Sequence, residues 1–215
     1  SVMMGDIAAT GDATVSVSVE AITQAPIERI EIRNGTEVVH VLRGFGEADL
    51  GSRIRVVWSG AEYRGRGRQS IWRGRAVFGG STIRRTEKIN AWNLERRLEV
   101  QSADTVVFDA LTTGNFGGFD VWLDEDPDGV IAIETNRGRL EAPARDVGLD
   151  GVTLDAGGLE RRLRAFRLPE VNPCREFRAT VDVPLKAEGD NQIWVSVVTE
   201  DGFQAWSSPM FLFRE

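Results

Sequence analysis

The side chains that most often do chemistry are scarce in this sequence. Its 215 residues include one histidine and one cysteine, His40 between Val39 and Val41 and Cys174 in the last quarter. Any Ser-His-Asp or Cys-His constellation must pass through His40, and a lone histidine in an alternating apolar run reads as a strand residue. Cys174 has no second cysteine for a disulfide, a redox pair or a thiolate zinc site, and reads as a small core residue. Carboxylates remain. The 33 Asp and Glu residues would allow a glycosidase-type pair, but spacing alone does not single one out. The chain is therefore read as non-catalytic, with no cofactor expected.

Three clusters carry the remaining chemistry. Asp124, Asp126 and Asp128 fall at alternate positions ahead of Gly129, with Ile131 where a calcium loop places its hydrophobic residue. The twelfth position is Thr135 instead of the bidentate glutamate of such loops, so a solvated hairpin turn is preferred to calcium. Arg64, Arg66 and Arg68, continuing to Arg73 and Arg75, alternate with glycines and lie near Tyr63 and Trp72. Single-strand nucleic-acid grooves combine cations and stacking rings in this way. A net charge of −7 opposes phosphate binding. Nucleic acid is not expected, and the arginines read as an outward strand face paired with carboxylates.

Six tryptophans offer flat rings on which sugars stack, so carbohydrate is the alternative ligand. Trp58, Trp122 and Trp194 lie in apolar strand contexts and should be buried. Trp72 and Trp92, beside arginine and asparagine, should be exposed, and they join Arg64, Arg66 and Arg68 as candidate binding residues.

Strands must position these groups. Thr14 to Glu20 puts three valines on one face and small polar residues on the other, the period-two pattern of a half-buried strand. Ile27 to Ile32 and Glu37 to Leu42 flank Asn34-Gly35 as a hairpin. Further strands are read at 53–58, 70–78, 105–111, 119–123, 130–135, 163–168, 175–183, 192–200 and 204–213, and 89–98 as a loop or single turn. The glycine runs at 79–80 and 114–118 do not open a helix, so they read as turns and not as phosphate cradles. The fold class is all-β. The predicted architecture is an Ig-like β-sandwich built from both chain ends, residues 10–57 and 170–215, with a second β lobe inserted at 58–169. A single jelly-roll-like sandwich is the alternative.

No apolar run approaches the roughly 20 residues that span a bilayer, so no membrane partner is expected. The start at Ser1-Val2 reads as a cut fragment with any leader upstream. Compartment is left open between a reducing cytosol and the periplasm or exterior.

Four strings carry a resemblance: the stretch from Arg53 through Val56-Val57-Trp58-Ser59-Gly60 and Tyr63-Arg64-Gly65-Arg66-Gly67-Arg68 to Trp72, then Thr112 to Gly118, Asp155 to Gly158, and Glu200 to Pro209. Over nearly its whole length the chain resembles the C-terminal β-rich part of bacterial domain-of-unknown-function family 3604, proteins akin to PHP-type metallohydrolases. The resemblance implies an upstream catalytic domain as partner, with the metal-binding histidines located there. It implies an accessory or interaction module here, and no metal ligand is carried over.

Overall fold

The computed structural model describes residues 2–90, 96–124 and 128–214. The chain is all-β and divides into two compact units, Ser1–Gly44 with Asn172–Glu215, and Phe45–Val171. The first unit opens with β1 (Ile7–Thr10), β2 (Thr14–Ile22), β3 (Ile27–Asn34) and β4 (Glu37–Leu42). The second unit holds β5 (Arg53–Ala61), β6 (Ser70–Phe78), β7 (Ile83–Ile89), β8 (Leu98–Ser102), β9 (Thr105–Thr112), β10 (Phe116–Leu123), β11 (Val130–Thr135), β12 (Gly138–Pro143), β13 (Val152–Asp155) and β14 (Leu159–Leu168). The chain then completes the first unit with β15 (Glu176–Pro184), β16 (Asn191–Thr199), β17 (Gln204–Trp206) and β18 (Met210–Arg214).

In the first unit the sheet β1-β18-β16-β3-β4, with β17 alongside β16, packs over the two-stranded sheet β15-β2. Val17 and Val19 of β2 meet Ile30, Ile32, Ile193 and Leu212 of the larger sheet in one core, so the alternation read from Thr14 to Glu20 does bury its valine face. Gly35, at φ +63, is the first of two residues joining Asn34 to Glu37, where two-residue hairpins take glycine. His40 Nε2 stands 3.0 Å from the Asp182 carbonyl oxygen. That oxygen can only accept, so the proton sits on Nε2 and ties β4 to β15. The Cys174 thiol is half-buried beside this core, and burial raises its pKa.

Among the described residues the second unit is a ten-stranded sandwich of two sheets, β13-β14-β5-β10-β7 and β12-β11-β6-β9-β8. Ile54, Val56 and Trp58 of β5 and Phe119 and Val121 of β10 share one core with Trp72 and Phe78 of β6 and Phe108 of β9. The antiparallel pairs β8-β9, β7-β10 and β6-β11 are nested in sequence, a winding shared with jelly rolls. The first crossing between units lies at Gly44, whereas the boundary expected from the sequence falls after residue 57. The reason is that β5 hydrogen-bonds to both β10 and β14 and is the central strand of its sheet.

The outer face of β5 carries an arrangement that alternation alone would expose to solvent. Arg53 and Arg55 are 4% and 0% exposed and Asp120 of β10 is 2% exposed. Arg55 donates from Nε to Asp120 Oδ1 at 2.7 Å and from Nη2 to Oδ2 at 2.8 Å. Arg53 donates to Oδ2 from Nε at 3.1 Å and from Nη2 as well. One buried carboxylate thus accepts from two guanidiniums, the charge-assisted geometry that makes buried ions tolerable.

Candidate functional site

Strand polarity gathers five connections at one end of the second unit. These are 62–69 between β5 and β6, the described residues 90 and 96–97 between β7 and β8, 113–115 between β9 and β10, 136–137 between β11 and β12, and 156–158 between β13 and β14. Registers such as Phe116 opposite Ser59, Ile89 opposite Gly118 and Ser70 opposite Thr112 place them together.

Trp72 anchors this end from within. It is fully buried. Its Nε1–H donates to Thr112 Oγ1 at 3.1 Å, and that hydroxyl donates to the Gly60 carbonyl at 2.6 Å. The expectation that Trp72 is exposed is therefore corrected, and it leaves the set of binding residues. It shares strand parity with Ala76 and Phe78, which also face the core, while the neighbouring Arg73 and Arg75 point outward. Trp92 lies outside the described residues.

Above this anchor the 62–69 connection is a short coil with one 3-10 turn, Arg66–Arg68, and not the strand read from the arginine spacing. Gly65 and Gly67 have φ of +104 and +68 and Arg68 itself +49, conformations that end strand pairing. The Glu62 amide donates to the Arg68 carbonyl at 3.0 Å and closes the loop. Tyr63 is 66% exposed, and Arg64, Arg66 and Arg68 are all exposed. None of these three arginines has a carboxylate partner among the described residues. Arg73 and Arg75, on β6, do pair with Asp109 at 3.0 Å and Glu134 at 2.8 Å.

Beside this loop a cleft of about 390 Å³ opens toward the edge strands β7 and β8. Trp58, stacked on Phe108 at 4.7 Å between ring centroids, forms its floor with Ile89 and Leu111, and the rim presents Gln69, Lys88, Asn90, Thr113 and Asn115. Gly117 keeps the floor open, since a Cβ there would stand 3.1 Å from Trp58 Nε1. At Gly118 a Cβ would come within 2.2 Å of the Val56 carbonyl, so only glycine permits the close approach of β10 to β5. The carboxylate lining the cleft, Asp109, accepts from Arg73 Nε at 3.0 Å and from Arg96 Nη1 at 2.8 Å. Lys88, exposed on β7, has no carboxylate partner among the described residues. Glu62 is held between Arg137 at 2.7 Å and Arg161 at 2.5 Å. The cleft can thus donate and accept hydrogen bonds through amides and a hydroxyl and offer positive charge, while its acid is already neutralised.

Asp124 and Asp128 lie at the opposite end. Strands β10 and β11 belong to different sheets, so they do not pair as a hairpin, and Pro127 lies outside the described residues. Asp124 and Asp128 are exposed, and Asp124 Oδ1 lies 3.8 Å from Arg84 Nε. Asp126 lies outside the described residues. Among the described residues no three His, Cys, Asp or Glu side chains converge as a metal site. Gly129 has a packing reason to be glycine, because a Cβ there would overlap the Gly79 carbonyl at 1.8 Å.

Of the other tryptophans, Trp58 and Trp122 are buried at 5% and 7% exposure, as their contexts predict. Trp122 nevertheless points away from the core, between the guanidiniums of Arg53 and Arg85. Trp194 is half-buried beneath Arg33. Trp206, which the sequence pattern leaves unassigned, is 63% exposed. Sequence reading also left out Gln69, Lys88, Thr113 and Asn115 as cleft residues. The one available signal was the clustering of Asn and Thr with glycine at 112–118. Among the described residues no helix is long and apolar enough to cross a membrane. No family model, curated protein or solved structure matches the chain.

Proposed function

We propose that this chain is a non-catalytic recognition module serving a larger protein of the PHP-like class that its sequence resembles, and that it binds through the loop end of the second unit. The observation carrying this reading is the composition of the cleft. It is floored by apolar side chains and rimmed by amides, a hydroxyl and an ammonium without a carboxylate partner among the described residues, the mixture of apolar surface and convergent polar groups that marks ligand sites. Its acid is tied by two arginines, which suits binding better than proton transfer. Among ligands, the lining favours carbohydrate, whose hydroxyls both donate and accept and whose ring faces pack on apolar surface. Exposed cations on the adjoining loop would equally serve docking onto the upstream domain, the partner implied by the resemblance.

The test is a panel of immobilised oligosaccharides probed with the full chain, followed by a search for turnover of every saccharide bound. Binding without turnover is expected, weakened at least ten-fold in Gly117→Val, which fills the cleft floor, and unchanged in Trp206→Ala. Turnover of a bound saccharide, or full binding by the Gly117→Val protein, contradicts the reading.

A further inference from the structure

Charge in the second unit is segregated by end. The connections opposite the cleft carry Glu47, Asp49, Asp104, Asp124, Asp146 and Glu170, with Arg145 as the basic residue among them. The chain enters this unit at Phe45 and leaves it at Val171, both at the acidic end. Among the described residues the connections at the cleft end carry Arg64, Arg66, Arg68, Arg96, Arg97 and Arg137, against Glu62. Three of these arginines are paired, with Asp109, Glu99 and Glu62 respectively. Arg64, Arg66 and Arg68 have no carboxylate partner among the described residues, although the whole chain has 33 acids for 26 Lys and Arg residues. Solvent-exposed like charges held on one eight-residue loop repel one another, and a carboxylate pair would be the ordinary remedy. Lys88 adds a fourth cation without a carboxylate partner among the described residues at the cleft rim.

Resting on the recognition reading above, we infer that the ligand of the cleft is an anionic oligosaccharide, bearing carboxylate or sulfate groups. One residue of it sits on the floor formed by Trp58, Ile89 and Leu111. Gln69, Thr113 and Asn115 meet its hydroxyls, and its charged substituents face Lys88 and the Arg64–Arg68 loop. Tyr63 provides an exposed ring beside the three arginines. A nucleic acid would use the same cations, but its affinity grows with stacking platforms and an extended basic track. Here Tyr63 is the exposed ring among the described cations of this end, and the flanking strands bear Glu99, Glu134 and Glu141. A short anion held at the end of the sandwich fits this distribution; a long one laid along it does not.

Calorimetric titration of the full chain at about 50 mM salt tests this, with tetragalacturonate, a heparin-derived tetrasaccharide, a neutral galactose tetrasaccharide and single-stranded oligothymidylate as probes. One or both anionic saccharides should bind at least ten-fold tighter than the neutral one, the better of the two identifying the anionic group. That margin should shrink as salt rises. The triple variant Arg64→Ala, Arg66→Ala, Arg68→Ala should lose the margin while keeping the parent melting temperature, since these side chains are exposed. Lys88→Gln should lose part of it. Equal binding of neutral and anionic saccharides overturns the charge assignment and leaves the recognition reading standing. Preferential binding of oligothymidylate replaces saccharide by nucleic acid. Absence of binding by every probe overturns both readings.

Discussion

Trp72 and Asp120 show how polar contacts inside the second unit are committed to structure. Removing the Trp72 ring empties a fully buried site and takes away the bond that the Thr112 hydroxyl accepts, so Trp72→Ala should cost about 3–5 kcal/mol, read as a lower urea midpoint. Asp120→Asn leaves two buried guanidiniums facing a neutral amide. A loss of about 3–5 kcal/mol is expected there as well. Glu134, paired with Arg75 where both side chains are about half exposed, supplies the contrast: Glu134→Gln should change stability by less than about 1 kcal/mol. If Asp120→Asn and Glu134→Gln shift the midpoint equally, the buried cluster does not stabilise the sandwich. The position of Trp72 was readable in principle, because it shares parity with Ala76 and Phe78. Weighing the flanking arginines above that parity gave the wrong side. Arg55 was not readable, since nothing in a two-residue alternation signals that an outward arginine will be buried against a carboxylate 65 residues away.

Strand β3 carries a charge relay with a pH signature. Burial alone would raise the Glu31 pKa, but hydrogen bonds and charge from Arg29 and then Arg33 outweigh it, holding the carboxyl below its ordinary value. Arg29 Nε lies 2.7 Å and Arg33 Nη2 2.6 Å from its oxygens. A depressed folded pKa contributes stability above the ordinary carboxylate range and loses it as pH falls through the lowered value. Glu31→Gln should therefore be less stable than the parent at neutral pH and converge on it below about pH 4. Parallel stability curves across that range, by denaturation at each pH, would exclude the assignment. The strands with buried apolar alternation, such as β2, β3, β6 and β11, are legible in the sequence. Strand β7, Ile-Arg-Arg-Thr-Glu-Lys-Ile, is not: it lies at a sheet edge, where charged side chains are common and the period-two signal disappears. That β10 and β11 join different sheets was not legible for a related reason, since strand pairing depends on partners far away in sequence.

Taken whole, the molecule is two β units, of which the inserted one ends in a cationic cleft while the chain is acidic overall. Both chain ends belong to the first unit, and strands β2 and β15 from the two ends alternate apolar and polar residues in the same manner. The cleft was not legible, since Trp58, Lys88 and the pair Asn115 and Gly117 come from three separate stretches of chain that only strand register brings together. Charge segregation carries an expectation independent of ligand identity: the chain should bind a sulfated cation-exchange resin at low salt despite its net charge of −7, and the Arg64, Arg66 and Arg68 triple alanine variant should pass through unretained. The most direct test follows the backbone amides of isotopically labelled chain by NMR while the tightest saccharide is titrated in. Shifts confined to residues 62–69, 88–90 and 113–118 are expected, whereas shifts centred on Trp206 or on the acidic end would contradict recognition at the cleft.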